Sequence, residues 1–331
     1  MRKIFLLSIL CSSLCAAALA PTAVDTSAPA IDQRPHCDTV RTGVYITSIH
    51  DIDFKQNEYT IDMWLWMRYR NPALDLYNNL EVPQAKSVTK SFATLDSSGD
   101  DLYLLMKLQC VMQDSWRIGN FPFDAQTLRF SVENSQYDAK AMVFAVDTVG
   151  KSFDPRFTLR GWNIDTMKIL SGTRKYETNF GDTRIVKPHM EYSSFKVRID
   201  VSRDAFGLFM KLFLGMYMAF LVAYMCFYIH IDNTDSRFSL SVGGLFAVVG
   251  NKYIVDASLP ESVTFTLVDL LHGITLLFII LTIIGNAVNL RYSKLNQHSK
   301  AFRFNQFMRR GVLIAYVLLN AIFIFKAMKG W

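Results

Sequence analysis

AFGLFMKLFLGMYMAFLVAYMCFYIHI, residues 205–231, divides the chain. It is long enough to cross a bilayer as a helix, and only Lys211, near one end, interrupts it. Upstream the apolar residues alternate. YTIDMWLWMRY (59–69) puts Ile61, Met63, Leu65 and Met67 on one face and Asp62, Trp64, Trp66 and Arg68 on the other. Period two suits a half-exposed antiparallel strand. Segments 42–49, 101–112, 127–133, 141–147, 162–170 and 192–201 read the same way, with turn signals in SSGD (97–100), VGKSFDP (149–155) and LSGT (170–173). Many short strands with regular punctuation predict a β-sandwich over residues 21–204.

Downstream the apolar residues come in runs. RFSLSVGGLFAVVGNKYIV (237–255), SVTFTLVDLLHGITLLFIILTIIGNAV (262–288) and GVLIAYVLLNAIFIFKAM (311–328) follow the first. A soluble core accommodates one such segment, not four. The expectation is a membrane domain over 205–331, with spans at about 205–231, 237–257, 262–288 and 311–328.

Residues 1–20, MRKIFLLSILCSSLCAAALA, carry Arg2 and Lys3, an apolar stretch and Ala18-Leu19-Ala20. That pattern is a cleavable signal peptide, which puts the sandwich outside. The segment RYSKLNQHSKAFRFNQFMRR (291–310) holds Arg291, Lys294, Lys300, Arg303, Arg309 and Arg310 and no acid, as a loop on the inner side should, and a solvated amphipathic helix there is compatible with the same topology. Much of the net charge of +6 thus belongs beside the membrane, not on a nucleic-acid surface. Cys11 and Cys15 leave with the signal. Cys37 and Cys110 either form a disulfide in the exported part or stay unpaired as small apolar residues.

No Gly-rich phosphate loop, His-Glu-x-x-His or CxxC pair occurs, so no enzyme, cofactor or metal is expected. His272 follows Asp269 by three residues in the third span, close enough to meet it on a helix face. Structural pairing between helices and a proton-sensing role are its two readings.

The second span is unlike the other three. On a helix, Asp235, Ser239, Gly243, Phe246, Gly250 and Tyr253 share one face, polar at one end, small in the middle and bearing one large ring. Either Gly243, Gly244 and Gly250 allow close helix packing, or several copies surround water. In the second case Asp235 forms a carboxylate ring at the inner mouth and Phe246 a hydrophobic constriction.

One loop needs covering. RIGNFPFDAQ (117–126) sets two rings beside a proline that cannot donate to a ladder, so its tip is apolar. With this loop, the order signal, exported sandwich, four spans and short basic inner segment resembles the prokaryotic branch of the pentameric ligand-gated ion channel (Cys-loop receptor) superfamily. The resemblance covers essentially the whole mature chain. It implies an all-β extracellular sandwich followed by a four-helix transmembrane bundle. The assembly it implies is a homopentamer, each subunit with four identical partners, set in lipid in a bacterial inner membrane.

Further roles come from the same resemblance. Phe121, Pro122 and Phe123 rest on the helices under the loop DASLPES (256–262), where Pro260 matches a family proline; Asp124 pairs with Arg203. An agonist sits between sandwiches, beneath the hairpin SGTRKYETNFGDTRIVKPH (171–189) with Tyr176 and Phe180, near Glu133 and Tyr137. Aromatic faces with a carboxylate suit a cationic amine. Trp162 is expected in the core. Asp235 favours monovalent cations, whereas Lys252 in the outer half of a pore opposes them. The chain departs from the family in three ways: the bracketing cysteines are replaced by Asp114 and Leu128, the first span lacks its usual proline, and glycines replace a Ser/Thr/Leu-rich second span. That last departure keeps open a channel-shaped receptor or scaffold that binds a periplasmic partner without conducting.

Overall fold

The computed structural model describes residues 37–147, 152–154, 156, 158–183, 190–259 and 264–330. The signal segment and Pro260 lie outside them. Nine strands come first: β1 Asp38–Asp53, β2 Glu58–Tyr69, β3 Leu80–Glu81, β4 Ala85–Ser98, β5 Asp101–Gln113, β6 Ala125–Asn134, β7 Met142–Val146, β8 Trp162–Tyr176 and β9 Met190–Arg203. Four helices follow: α1 Ala205–Tyr224, extended by a 3-10 turn Met225–Tyr228, α2 Thr234–Asp256, α3 Leu267–Lys294 and α4 His298–Met328.

The strands form two sheets, ordered β4-β5-β2-β1-β7 and β3-β6-β9-β8. Alternation drives the sandwich. Ile61, Met63, Leu65 and Met67 of β2 are all buried, and they share a core with Phe130 and Val132 of β6 and Phe195 and Val197 of β9. The edge strand β4, AKSVTKSFATLDSS, carries no clean alternation and was not among the expected strands. Its ladder with β5 makes it, while Val88, Phe92 and Leu95 stay exposed. LSGT (170–173), expected as a turn, is instead the middle of β8, with Leu170 opposite Lys196 and Thr173 opposite Ser193. The long ladder with β9 outweighs the local turn preference of Ser and Gly. Cys37 and Cys110 are both free thiols, the first exposed and the second buried in β5.

All four helices are long and apolar enough to cross a membrane. The basic segment 291–310, expected as a loop, is almost wholly helical. Residues 295–297 alone separate α3 from α4, so the cations decorate helix ends. Helix α3 opens on a capping box, in which Thr266 accepts from the Asp269 amide and the Asp269 carboxylate returns to the Thr266 N–H.

The glycines of α2 divide between two environments. A Cβ on Gly244 would lie 2.7 Å from the Ala223 Cβ and 2.8 Å from the Ala219 carbonyl oxygen on α1. Gly243 and Gly250 meet nothing within 4 Å. Only Gly244 is therefore a packing glycine. Gly244→Ala is expected to destabilise by about 1–3 kcal/mol through overpacking, lowering the melting temperature in detergent. Gly243→Ala should leave it level or raise it, and equal losses in both would contradict this division.

Candidate functional site

The loop between β5 and β6 is held at three levels. At its base Asp114 pairs with Arg129 at 3.2 Å. Above that, Gln126 acts as a substitute backbone. Its Oε1 accepts from the Arg117 amide at 3.0 Å, and its Nε2 donates to the Arg117 carbonyl at 2.9 Å and to Asp124 Oδ2 at 2.7 Å. At the tip Phe121 is buried among helix residues, and Phe123 lies against Phe209 of α1 with centroids 5.4 Å apart. The Leu267 amide, first in α3, donates to the Gly119 carbonyl at 2.8 Å. Helices α1 and α3 therefore cover the apolar tip.

Arg203 ends β9, two residues before the start of α1. Its Nε donates to Asp124 Oδ1 at 2.8 Å and one terminal nitrogen reaches Asp124 Oδ2 at 3.3 Å. Asp124 is buried and Arg203 largely so, with 1 % and 11 % of their side chains exposed. An ion pair so desolvated is near break-even unless other groups compensate. Here three rings do: the guanidinium carbon lies 4.0 Å from the Trp162 centroid, 4.7 Å from Phe54 and 5.1 Å from Phe121. The β8–β9 register sets Trp162 directly opposite Arg203, and the β1–β2 hairpin supplies Phe54. Trp162 lies in the core as expected and also forms one wall of this box. Sequence reading missed Phe54, Trp162 as a partner of Arg203, and the Gln126 clamp; the antiparallel register was the available signal for Trp162.

Beneath the β8–β9 hairpin is a cavity of about 410 Å³ lined in part by Glu133, Tyr176, Phe180, Met190 and Tyr192. Glu133 is only 2 % exposed. It accepts from the Tyr176 hydroxyl at 2.7 Å and faces Arg174 at 3.4 Å. Burial, with the neighbouring Glu133 carboxylate, pushes the Tyr176 hydroxyl up to about 12. The Tyr176 ring makes edge contacts with Phe180 and Tyr192 at 5.5 and 5.7 Å. Tyr137 is not part of this wall; its hydroxyl donates to the Ala73 carbonyl at 3.0 Å. Tyr192 was missed as a wall residue, although its strand was expected.

Along α2, Asp235, Ser239, Gly243, Phe246, Gly250 and Tyr253 are all exposed in the single chain, Phe246 at 68 % and Tyr253 at 77 %. Arg237, Ser241, Gly244, Val248 and Val255, on the other side, are buried. Arg237 bonds Asn305 of α4, which also meets Asn289 of α3 at 3.2 Å. Lys252 points to α3, with its Nζ 2.7 Å from both Asp256 and Asp269. Asp269 and His272 do not bond each other. His272 instead contacts the Val268 carbonyl at 2.9 Å and Asn251 of α2 at 3.0 Å.

No protein-family model matches the chain. A proton-gated ion channel of Gloeobacter violaceus is 20 % identical over 309 residues, an alignment covering 87 % of this chain and 82 % of the relative. The order of a two-sheet β domain and four membrane-length helices agrees with that likeness.

Gln126→Leu should leave the Arg117 amide and carbonyl without partners, at a cost of about 1–3 kcal/mol. Hydrogen exchange in peptides spanning 117–124 is expected to quicken while the β2 amides stay protected. Unchanged exchange in the loop would remove the clamp.

Proposed function

Starting from the fold of the pentameric ligand-gated ion channel superfamily and a likeness to one ion channel over most of the chain, we propose that this protein is a subunit of a homopentameric, cation-selective channel. A ligand between the sandwiches opens it. It lies in a bacterial inner membrane with the sandwich outside, and it is not an enzyme.

The observation that carries this reading is the two-sided α2. One face is packed on its own bundle, and the opposite face, with Asp235 and Phe246, is bare. A stripe of carboxylate, hydroxyl and glycine is poorly suited to hydrocarbon and well suited to a water path lined by copies of itself. Gly243 and Gly250, where an added Cβ would meet nothing within 4 Å, favour this over a tightly packed, non-conducting scaffold. Two carboxylates compensate Lys252, which supports Asp235 as the charge that sets selectivity.

Ligand binding would bias a closed–open equilibrium by its differential affinity for the two states. The bias would pass through Phe121–Asp124 and Arg203 to the helices, with Pro260 assigned to the same path by the resemblance alone, and end at Phe246. For the ligand, the walls of Tyr176, Phe180 and Tyr192 with Glu133 fit a small amine, which would displace Arg174 from Glu133. The relative is proton-gated, so pH is stepped alongside amines in the test. His272, bonded between α3 and α2, is the group in the bundle to examine first if protons act.

The deciding experiment is current across a planar bilayer holding the purified protein, in a salt gradient, under pH steps and added amines. Discrete openings with a cation-side reversal potential are expected. Silence from folded, pentameric protein would favour the non-conducting receptor. Asp235→Ala should move the reversal potential toward anions, and an unchanged value takes Asp235 out of the selectivity ring. Phe246→Ala should raise resting leak or ease opening; wild-type values for both would exclude it as the constriction.

A further inference from the structure

The second sheet, on the face turned away from the core, carries a strip of cations set by strand register. Lys168 of β8 stands opposite Arg198 of β9, which stands opposite Arg129 of β6. In the next row of that face Leu170, Lys196 and Ser131 follow in the same order. We propose that this strip docks an extended acidic segment of a partner protein, a proposal that depends on neither conduction nor the membrane orientation above.

Charge argues for an acidic partner. Like charges directly opposite on neighbouring strands destabilise a sheet. Arg198 is met by Asp200 at 3.0 Å and Arg129 by Asp114 at 3.2 Å, but Lys168 and Lys196 have no carboxylate within ion-pair distance among the described residues. A lysine on an edge strand also guards against edge-to-edge pairing, which would account for Lys168 alone. Lys196 and Arg198 lie on β9 and Arg129 on β6, both inside the sheet with no edge to guard.

Two further features select a polypeptide. Leu170 is 53 % exposed between the two lysines, for the Lys196 Nζ leans over Gly172, 3.9 Å from where a Cβ would stand. Among the described residues no strand pairs with the far edge of β8, the last strand of its sheet, so that edge can accept another strand. Side chains of an added strand alternate between faces. Acid, apolar and acid at every second position would therefore meet Lys168, Leu170 and Lys196 in turn. A phosphate polymer would satisfy the lysines and leave Leu170 bare. Lipid headgroups are out of reach: Arg198 stands five positions before Arg203 at the end of β9, about 17 Å along the strand, or about two screening lengths at physiological salt.

The test is peptide binding. Purified full-length protein in zwitterionic lipid nanodiscs is titrated into a fluorescent peptide built on Asp-Thr-Val-Thr-Asp, and anisotropy is read. Binding that weakens with added salt is expected. Lys168→Gln and Lys196→Gln should each lower the affinity about three-fold and the double variant about ten-fold. Leu170→Ser should weaken it as well, Lys196→Arg should keep it, and Lys140→Gln, elsewhere on the sandwich, should not affect it. The substituted side chains lie on the face away from the core, so the fold is not at stake. Wild-type affinity in the double variant would overturn the proposal. So would failure of the wild type to bind, which leaves the face to a second copy of the chain or to no partner. Equal binding of a scrambled peptide of the same composition, or of polyphosphate at equal charge, would overturn it too, making the strip a general polyanion surface. Current is not read, so a silent channel leaves the test intact.

Discussion

The joint between strand and helix depends on one guanidinium. Arg203 stands two residues from α1, where a charge leaving water for the membrane boundary is costly. The fold meets that cost with Asp124 and the faces of Phe54, Phe121 and Trp162. Those partners come from the β1–β2 hairpin, the β5–β6 loop and the start of β8. Three separate stretches of sandwich therefore converge on the chain as it enters the helices. A displacement of any of them changes the surroundings of one buried charge, and buried charges tolerate change poorly. On the proposed reading, this is the junction through which a ligand's bias would reach the helices.

Helix α2 solves a different problem. A single helix is asked to pack tightly on one side and to stay unpacked on the other. Its buried side uses Gly244 for close approach to α1 and Arg237 for hydrogen bonding to α4. Its bare side keeps Gly243 and Gly250, which have no packing role within the chain. Helix propensity is lost at each glycine, up to about 1 kcal/mol in water, so α2 relies on its neighbours for regularity.

The sequence shows most of this architecture and little of its wiring. Alternation in YTIDMWLWMRY and the four apolar runs revealed the sandwich and the spans, because burial imposes a period on a strand and a minimum length on a span. β4 escaped because an edge strand answers to its ladder partner and needs no apolar face. LSGT misled because Gly and Ser report local preference, while fourteen paired positions between β8 and β9 decide the outcome. Residue 297 ends a link of only three residues where a basic loop was expected; charge marks the membrane side without saying whether the backbone is helical. At the site, Asp124 and Arg203 were paired through family likeness, since nothing in their spacing of seventy-nine residues announces contact. Gln126, Phe54 and Tyr192 act through register and fold, which no linear pattern displays. For Lys252, the partner four residues on in the same helix, Asp256, was legible in the sequence and went unread, whereas Asp269 belongs to another helix and shows in no linear pattern.

Asp269 has a consequence beyond neutralising a charge. The same carboxylate closes the first turn of α3 and holds Lys252 of α2. Two residues earlier, the Leu267 amide is tethered to the Gly119 carbonyl in the sandwich loop. Loop, helix start and neighbouring helix thus form a short linkage with no slack in it. On the proposed reading, a tug on Gly119 would reach α2 from the side, through α3, as a crank turns a shaft. A twist of α2 would, by the same joints, be felt in the loop.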